Sequence, residues 1–140
     1  IIGNSFSSLS QVNWTKKLFN NLGKTVILEK ESQIDAVTAI SGSGPAYIFN
    51  FAETVIEIGK ELGLSEQISK KIVLQTIVGA GLLANNSDKS PSKLRENVTS
   101  PNGTTHAALN ILMDEKNGWH GIIKNAVFAA HKRSKILAKN

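Results

Sequence analysis

The chain contains no cysteine. Disulfide frameworks, thiolate catalysis and Cys-ligated zinc are therefore excluded, and the composition fits a reducing compartment. Long apolar runs are also missing. The longest, Ile77 to Ala84, has eight residues, far short of the roughly 18 needed to span a bilayer. No basic stretch followed by an apolar one opens the chain, so no targeting segment is visible. A cytoplasmic protein without a membrane partner is expected. The three histidines, His106, His120 and His131, show neither HExxH nor HxxxH spacing, and no metal site is expected from them. Acidic residues are absent from the last 24 positions, which hold Lys124, Lys132, Arg133, Lys135 and Lys139, whereas residues 1–116 carry 11 basic and 11 acidic side chains. The whole net charge of +5 thus lies at the C-terminal end. Such a tail can bind nucleic acid. It equally suits a helix whose cations oppose the negative end of its dipole and solvate its outer face. Only Phe128 is placed among these charges to stack on a base, so the helix reading is preferred and no nucleic-acid partner is expected.

What is present is an ordinary globular balance, 41% apolar and 19% charged over 140 residues. That is one compact domain or a piece of something larger, long enough to bury about two-thirds of its unfolded surface. A two-domain nucleotide-dependent enzyme needs about twice this length. The chain opens on Ile rather than Met, which adds to the expectation of a fragment.

Val12 to Leu22 places Trp14, Leu18, Phe19 and Leu22 at helical spacing, with Gly23 as a stop. Thr25 to Leu28 is a short β-branched run and reads as a strand. A lone strand needs partners for its edge groups, so this one is expected to belong to a sheet elsewhere. From Glu31 onward the pattern is helical. Gln33 to Ile40 forms a short helix that Ser41-Gly42-Ser43-Gly44 ends as a tight turn, with Pro45 suited to the first turn of the next helix. Ile48, Phe51, Ala52, Val55, Ile56, Gly59 and Leu62 then mark a strongly amphipathic helix that Gly63 closes. Ser65 caps a further helix over 66–86. This one carries two apolar stripes, Ile68, Ile72, Gly79, Leu83 and Val73, Ile77, Ala80, Ala84, and is expected to be buried nearly all round. Gly79-Ala80-Gly81 weakens it by about 1 kcal/mol per glycine, a cost tolerated where another backbone passes close. Helices at 93–97, 104–115 and 119–138 complete an all-α, multi-helix domain. So many apolar faces also fit two copies sharing one core.

Thr99 to Thr105 (TSPNGTT) is the segment richest in chemistry. Pro101 holds Ser100 extended, Asn102-Gly103 tolerates φ > 0, and Thr104-Thr105 opens a helix. Unpaired N–H groups at a helix N-terminus receive carboxylate or phosphate, and the segment's four hydroxyls add directional partners. A tight turn with Thr capping the helix explains the same pattern. The Ser41–Pro45 segment is neither a dinucleotide fingerprint nor a P-loop, since it lacks the preceding strand and the Gly-Lys-Ser/Thr sequence. Glu53, Glu57 and Glu61 recur every four residues, as a solvated helix face does.

Residues Asp35 to Tyr47 (DAVTAISGSGPAY) and Leu94 to Thr105 (LRENVTSPNGTT) resemble the conserved segments of pyrroline-5-carboxylate reductases. Gln75-Thr76 with Gly79-Ala80, and Ala126 to Ser134, fit the same family, so the resemblance covers residues 10–138. It implies an oxidoreductase of proline biosynthesis that reduces Δ1-pyrroline-5-carboxylate to L-proline with NADPH or NADH. It further implies an N-terminal Rossmann domain and a C-terminal helical domain, the latter intertwined into homodimers that in many members assemble into decamers. Residues 1–30 would be the helix–strand remnant of the Rossmann domain, and residues 31–140 the helical dimerisation and substrate-binding domain. Carried over by position, Ser100, Gly103, Thr104 and Thr105 would bind the substrate. The Thr104 and Thr105 N–H groups and the Ser100 hydroxyl would take its carboxylate, and the Thr105 hydroxyl would serve catalysis beside the ring nitrogen. Asn102 departs from the family, which usually has Gly there. No cofactor-binding residue is expected in this chain, which by itself should be inactive. The competing reading is a non-enzymatic helical dimerisation module of the same family.

Overall fold

A computed structural model describes residues 1–138; Lys139, the last of the five unopposed cations, lies outside them. All regular structure among the described residues is helical, as expected of an all-α domain. The chain divides into two compact units, Ile1–Ser43 with the chain from Val127 onward, and Gly44–Ala126.

In the first unit, helix α1 (Leu9–Phe19) begins three residues before the periodicity alone places it. A capping box sets that start: the Gln11 N–H donates to Ser8 Oγ at 3.3 Å, and the Ser8 N–H donates to Gln11 Oε1 at 2.8 Å. The strand expected at 25–28 does not form a ladder. Its backbone has one partner, Ile1, whose amino group donates to the Val26 carbonyl at 2.8 Å and whose carbonyl accepts from the Leu28 N–H at 2.9 Å. Both bonds to one residue, flanking Ile27, is the slanted pattern of parallel pairing, and a single pair is too short to make a sheet.

Helix α2 (Ile34–Val37), preceded by a 3₁₀ turn at Glu31–Gln33, does not end in the turn expected at Ser41–Gly44. It widens instead into a π-helical stretch, Thr38–Gly42, in which the Ser43 N–H reaches back five residues to the Thr38 carbonyl at 2.8 Å. The small Ser-Gly-Ser-Gly side chains leave room for this wider turn, and such insertions recur at functional segments. Ala39 within it is buried. The last helix, α7 (Trp119–Leu137), ties into the first unit through Ser134, whose hydroxyl donates to Asp35 Oδ1 at 2.6 Å.

The second unit is built on two helices, α3 (Gly44–Glu61) and α4 (Glu66–Asn86), which pack against each other. The corner between them has a Schellman arrangement: Gly63 takes φ 92°, the Leu64 N–H donates to Gly59 O and the Gly63 N–H to Lys60 O, both at 3.0 Å. Ser65 then caps α4 by accepting from the Ile68 N–H. Ala52 of α3 and Ser69 and Val73 of α4 are the buried residues of this pair. Of the two apolar stripes on α4, only Val73 is buried, with Ile77 partly covered and Ala80 and Ala84 exposed. Ile68, Ile72 and Leu83 are about half exposed, so α4 is not buried all round within this chain. Nor, among the described residues, does any atom beyond the helix's own nearby backbone and the glycine's chain neighbours come within 4 Å of a Cβ built on Gly79 or Gly81. The close backbone expected there is not supplied by the described residues. Helix α5 (Pro91–Asn97), capped by Ser90 with Pro91 in its first turn, and α6 (Thr104–Leu112) follow. At the start of α7, the Trp119 ring lies 5.4 Å from Phe51, tilted by 49°.

Candidate functional site

The TSPNGTT segment lies wholly within the second unit and joins α5 to α6. Helix α5 ends as the Thr99 N–H donates to Glu96 O, while the Thr99 hydroxyl donates to Arg95 O at 2.6 Å and occupies a carbonyl the helix end leaves open. Thr99 is thereby engaged in structure. Ser100-Pro101-Asn102-Gly103 forms a closed turn, with the Gly103 N–H donating to Ser100 O at 3.1 Å. Proline at its second position and a left-handed residue at its third, Asn102 with φ 57°, are the marks of a type II turn. Gly103 is the N-cap of α6, with extended backbone (φ −80°, ψ 175°) and its carbonyl accepting from the Ala107 N–H. The expectation that a threonine caps this helix is therefore replaced: the cap is a glycine and makes no side-chain bond.

The consequence is chemical. A serine or aspartate N-cap would occupy the first N–H groups of α6 with its own oxygen. Gly103 has no such oxygen, and the first turn of α6 carries no acidic residue. The Thr104 and Thr105 N–H groups, at the first two helical positions, have no acceptor within the helix. They open onto the positive end of the α6 dipole with no anion of the same helix turn beside them. Ser100 comes back against this point: a Cβ built on Gly103 would collide with Ser100 Oγ and lie 3.2 Å from Ser100 O. The fold thus brings Ser100, Gly103, Thr104 and Thr105 together at one helix N-terminus, half of them exposed and half partly covered.

Beside the turn, a groove of about 330 Å³ is lined by Arg95, Glu96, Thr99, His106, Asn110 and Met113. Arg95 and His106 were not singled out for this place by spacing. Arg95 arrives from the end of α5 and His106 from the first turn of α6, and only the α5–turn–α6 hairpin makes them neighbours. No group of three or more His, Cys, Asp or Glu side chains gathers as a metal site among the described residues. Glu53 and Glu57 are exposed along α3, as a solvated face is. The Ser41–Pro45 segment belongs to the π turn and the start of α3 rather than to an anion-binding loop. No described helix is long and apolar enough to cross a membrane.

The geometry defines an all-α domain in which a Ser-Pro-Asn-Gly turn leads into a helix whose glycine N-cap makes no side-chain bond. The family model described as pyrroline-5-carboxylate reductase dimerisation matches residues 31–137, and the chain belongs to that family. It is 40% identical over 139 residues to a pyrroline-5-carboxylate reductase of Pseudomonas aeruginosa, covering 99% of this chain and 50% of that protein. It is 40% identical over 126 residues to the pea enzyme, covering 90% of this chain and 45% of that protein. Among solved structures, a Coxiella burnetii pyrroline-5-carboxylate reductase superimposes with a TM-score of 0.91 at 34% identity, over 97% of this chain and 50% of that one. The Plasmodium falciparum pyrroline carboxylate reductase, solved with NADP bound, gives 0.82 at 38% identity, over 95% and 52%. The chain spans about half the length of the relatives it matches.

Proposed function

We propose that this chain is the substrate-holding and homodimerising part of an enzyme that reduces Δ1-pyrroline-5-carboxylate to L-proline with NADPH or NADH, the last step of proline biosynthesis. The observation that carries the reading is the glycine-capped N-terminus of α6, where two free N–H groups and the Ser100 side chain converge with no acid in the helical turn. A small carboxylate is the complement of that arrangement. In this reading the Thr104 and Thr105 N–H groups and the Ser100 hydroxyl hold the substrate carboxylate. Gly103 leaves Ser100 room to do so. The Thr105 hydroxyl, one residue into α6, donates toward the ring nitrogen and supports its protonation. These residues orient a flat imine and fix its charge, which is the protein's share of a hydride transfer.

The described residues contain no glycine-rich strand–turn–helix unit of the kind that cradles a dinucleotide pyrophosphate. The nicotinamide cofactor supplies hydride when bound, and its site is assigned to the rest of the polypeptide. Residues 1–30 support the same division. Ile1 and the 25–28 segment are paired in parallel with α1 between them, as in one β–α–β crossover of a cofactor sheet. We assign residues 1–30 to the end of a Rossmann domain and residues 31–140 to the helical domain. A homodimer, with decamers as its higher assembly, and a cytoplasmic location complete the proposal.

The test is the full-length protein with pyrroline-5-carboxylate. NAD(P)H oxidation is expected, and it should fall at least about tenfold in kcat/KM when the carboxylate contacts are lost, since each hydrogen bond to a charged group contributes about 1.5–3 kcal/mol. No oxidation with either nucleotide, in a protein that still dimerises, overturns the enzyme reading and favours a purely structural module.

A further inference from the structure

The four hydroxyls of the Thr99–Thr105 segment divide into two kinds. Those of Ser100, Thr104 and Thr105 make no hydrogen bond among the described residues. That of Thr99 donates to the Arg95 carbonyl at 2.6 Å in a part-buried setting, near the short end for an O–H···O bond. The bond reaches four residues back along the chain, the pattern by which threonine bonds into its own helix. A hydroxyl fixed on a β-branched carbon also settles χ1. The Thr99 N–H donates to the Glu96 carbonyl at 3.0 Å. Thr99 is therefore fastened to the last turn of α5 through backbone and side chain together.

The next residue is Ser100. Pro101 confines its backbone to extended conformations, and its carbonyl accepts from the Gly103 N–H at 3.1 Å. The closed turn thus holds Ser100 toward α6, and only Thr99 holds it toward α5. The freedom left between α5 and the turn is backbone rotation at Thr99, which the hydroxyl bond to Arg95 restricts. Thr99 also borders the groove that His106, Leu109 and Met113 of α6 line, so it stands where both helices meet the turn.

Resting on the substrate-site reading above, we infer that Thr99 is a positioning residue for the reduction. Its hydroxyl grips the Arg95 carbonyl and so sets where the Ser100 hydroxyl stands relative to the Thr104 and Thr105 N–H groups. The hydroxyl engaged in structure aims the one that is free. Placement matters because a carboxylate must meet all three donors at once, and a misplacement of about 1 Å can cost about 10²-fold.

The experiment is steady-state kinetics of the full-length protein with pyrroline-5-carboxylate. Thr99→Val keeps the branched shape and removes the hydroxyl, whereas Thr99→Ser keeps the hydroxyl. Thr99→Val is expected to raise KM for pyrroline-5-carboxylate about tenfold, the scale of one hydrogen bond to a charged group. KM for the nucleotide should not change, and Thr99→Ser should bring the substrate KM back to within about twofold of wild type. Because Thr99 acts through Ser100, the two sites are not additive: with Ser100→Ala already present, Thr99→Val should raise KM less than about twofold further. Thr99→Ala carries the same expectations if the valine variant does not fold. An unchanged KM, full additivity with Ser100→Ala, or a lower Tm and kcat at unchanged KM overturns the inference and leaves the substrate site standing. A wild-type protein that oxidises neither nucleotide overturns the substrate-site reading and this inference with it.

Discussion

Ser69 and Gly59 meet where α3 crosses α4: a Cβ on Gly59 would stand 2.6 Å from Ser69 Oγ and 3.0 Å from Ser69 Cβ. The Ser69 hydroxyl is fully buried and has no hydrogen-bond partner among the described residues. Close approach at this point is what places the N-terminal turn of α4 on α3. It also buries a polar atom that no described residue satisfies.

The expected effect of Gly59→Ala is therefore a loss of stability. In an exposed helix the change would stabilise by about 1 kcal/mol. Here the methyl collides with Ser69 Oγ at 2.6 Å and presses on Ser69 Cβ at 3.0 Å, a tight contact that a rotamer change of Ser69 does not relieve, and overpacking of this kind costs about 1–3 kcal/mol. Ser69→Ala should be neutral or stabilising, because an unpaired buried hydroxyl carries a desolvation cost of about 1–3 kcal/mol. Urea unfolding of both variants and their double mutant reads the signs directly. A more stable Gly59→Ala would show that the helices part easily.

Asn102 occupies the left-handed region with φ 57°. Asn102→Gly is expected to be neutral or slightly stabilising, and Asn102→Val to destabilise by about 1–3 kcal/mol, since a β-branched residue is strained there. Thermal melts of the two variants check this. Equal Tm values would mean that the turn relaxes to another conformation at little cost.

Gly103 has an extended backbone that any residue adopts, so its demand is steric alone. Gly103→Ala drives a methyl into Ser100 Oγ. The expected outcome is a displaced Ser100 hydroxyl and a fall in kcat/KM of about tenfold or more, with Tm changed by only a few degrees. Full activity in this variant would remove Ser100 from the carboxylate site.

Ser100→Ala and Thr105→Ala should separate by kinetic parameter. Loss of a carboxylate contact made equally in ground and transition states raises KM, as expected of Ser100→Ala. Loss of a proton donor felt in the transition state lowers kcat by about 10²-fold or more, as expected of Thr105→Ala, and Thr105→Ser should restore most of it. A Thr105→Ala enzyme with unchanged kcat would assign the proton to another group.

Much of the architecture was legible because helices announce themselves locally. Ser65, Ser90 and Gly63 mark their helix ends by chemistry that acts within four residues, and α3 through α7 run close to where periodicity and caps put them. The TSPNGTT turn was readable for the same reason, since Pro101, Asn102 and Gly103 each restrict backbone angles of their own. The π turn at Thr38–Gly42 was not legible. Ser-Gly-Ser-Gly reads as a break by propensity, and the widened turn depends on the helical segments on either side. The missing ladder at 25–28 likewise reflects that a strand needs partners beyond Ile1.

The sequence by itself determined the helical elements, the Pro101-Asn102-Gly103 turn and the family, because these rest on short-range backbone chemistry and on residues adjacent in the chain. Tertiary structure decided the rest. It decided that of the two apolar stripes on α4 only Val73 is buried, beside Ser69 where α4 meets Gly59 of α3, a point that periodicity does not mark. It brought Arg95 and His106 to one groove, because a hairpin of two helices is needed to make residues eleven positions apart neighbours. And it left Ile68, Ile72, Gly79 and Leu83 facing outward, a fact about packing in three dimensions that no helical periodicity contains.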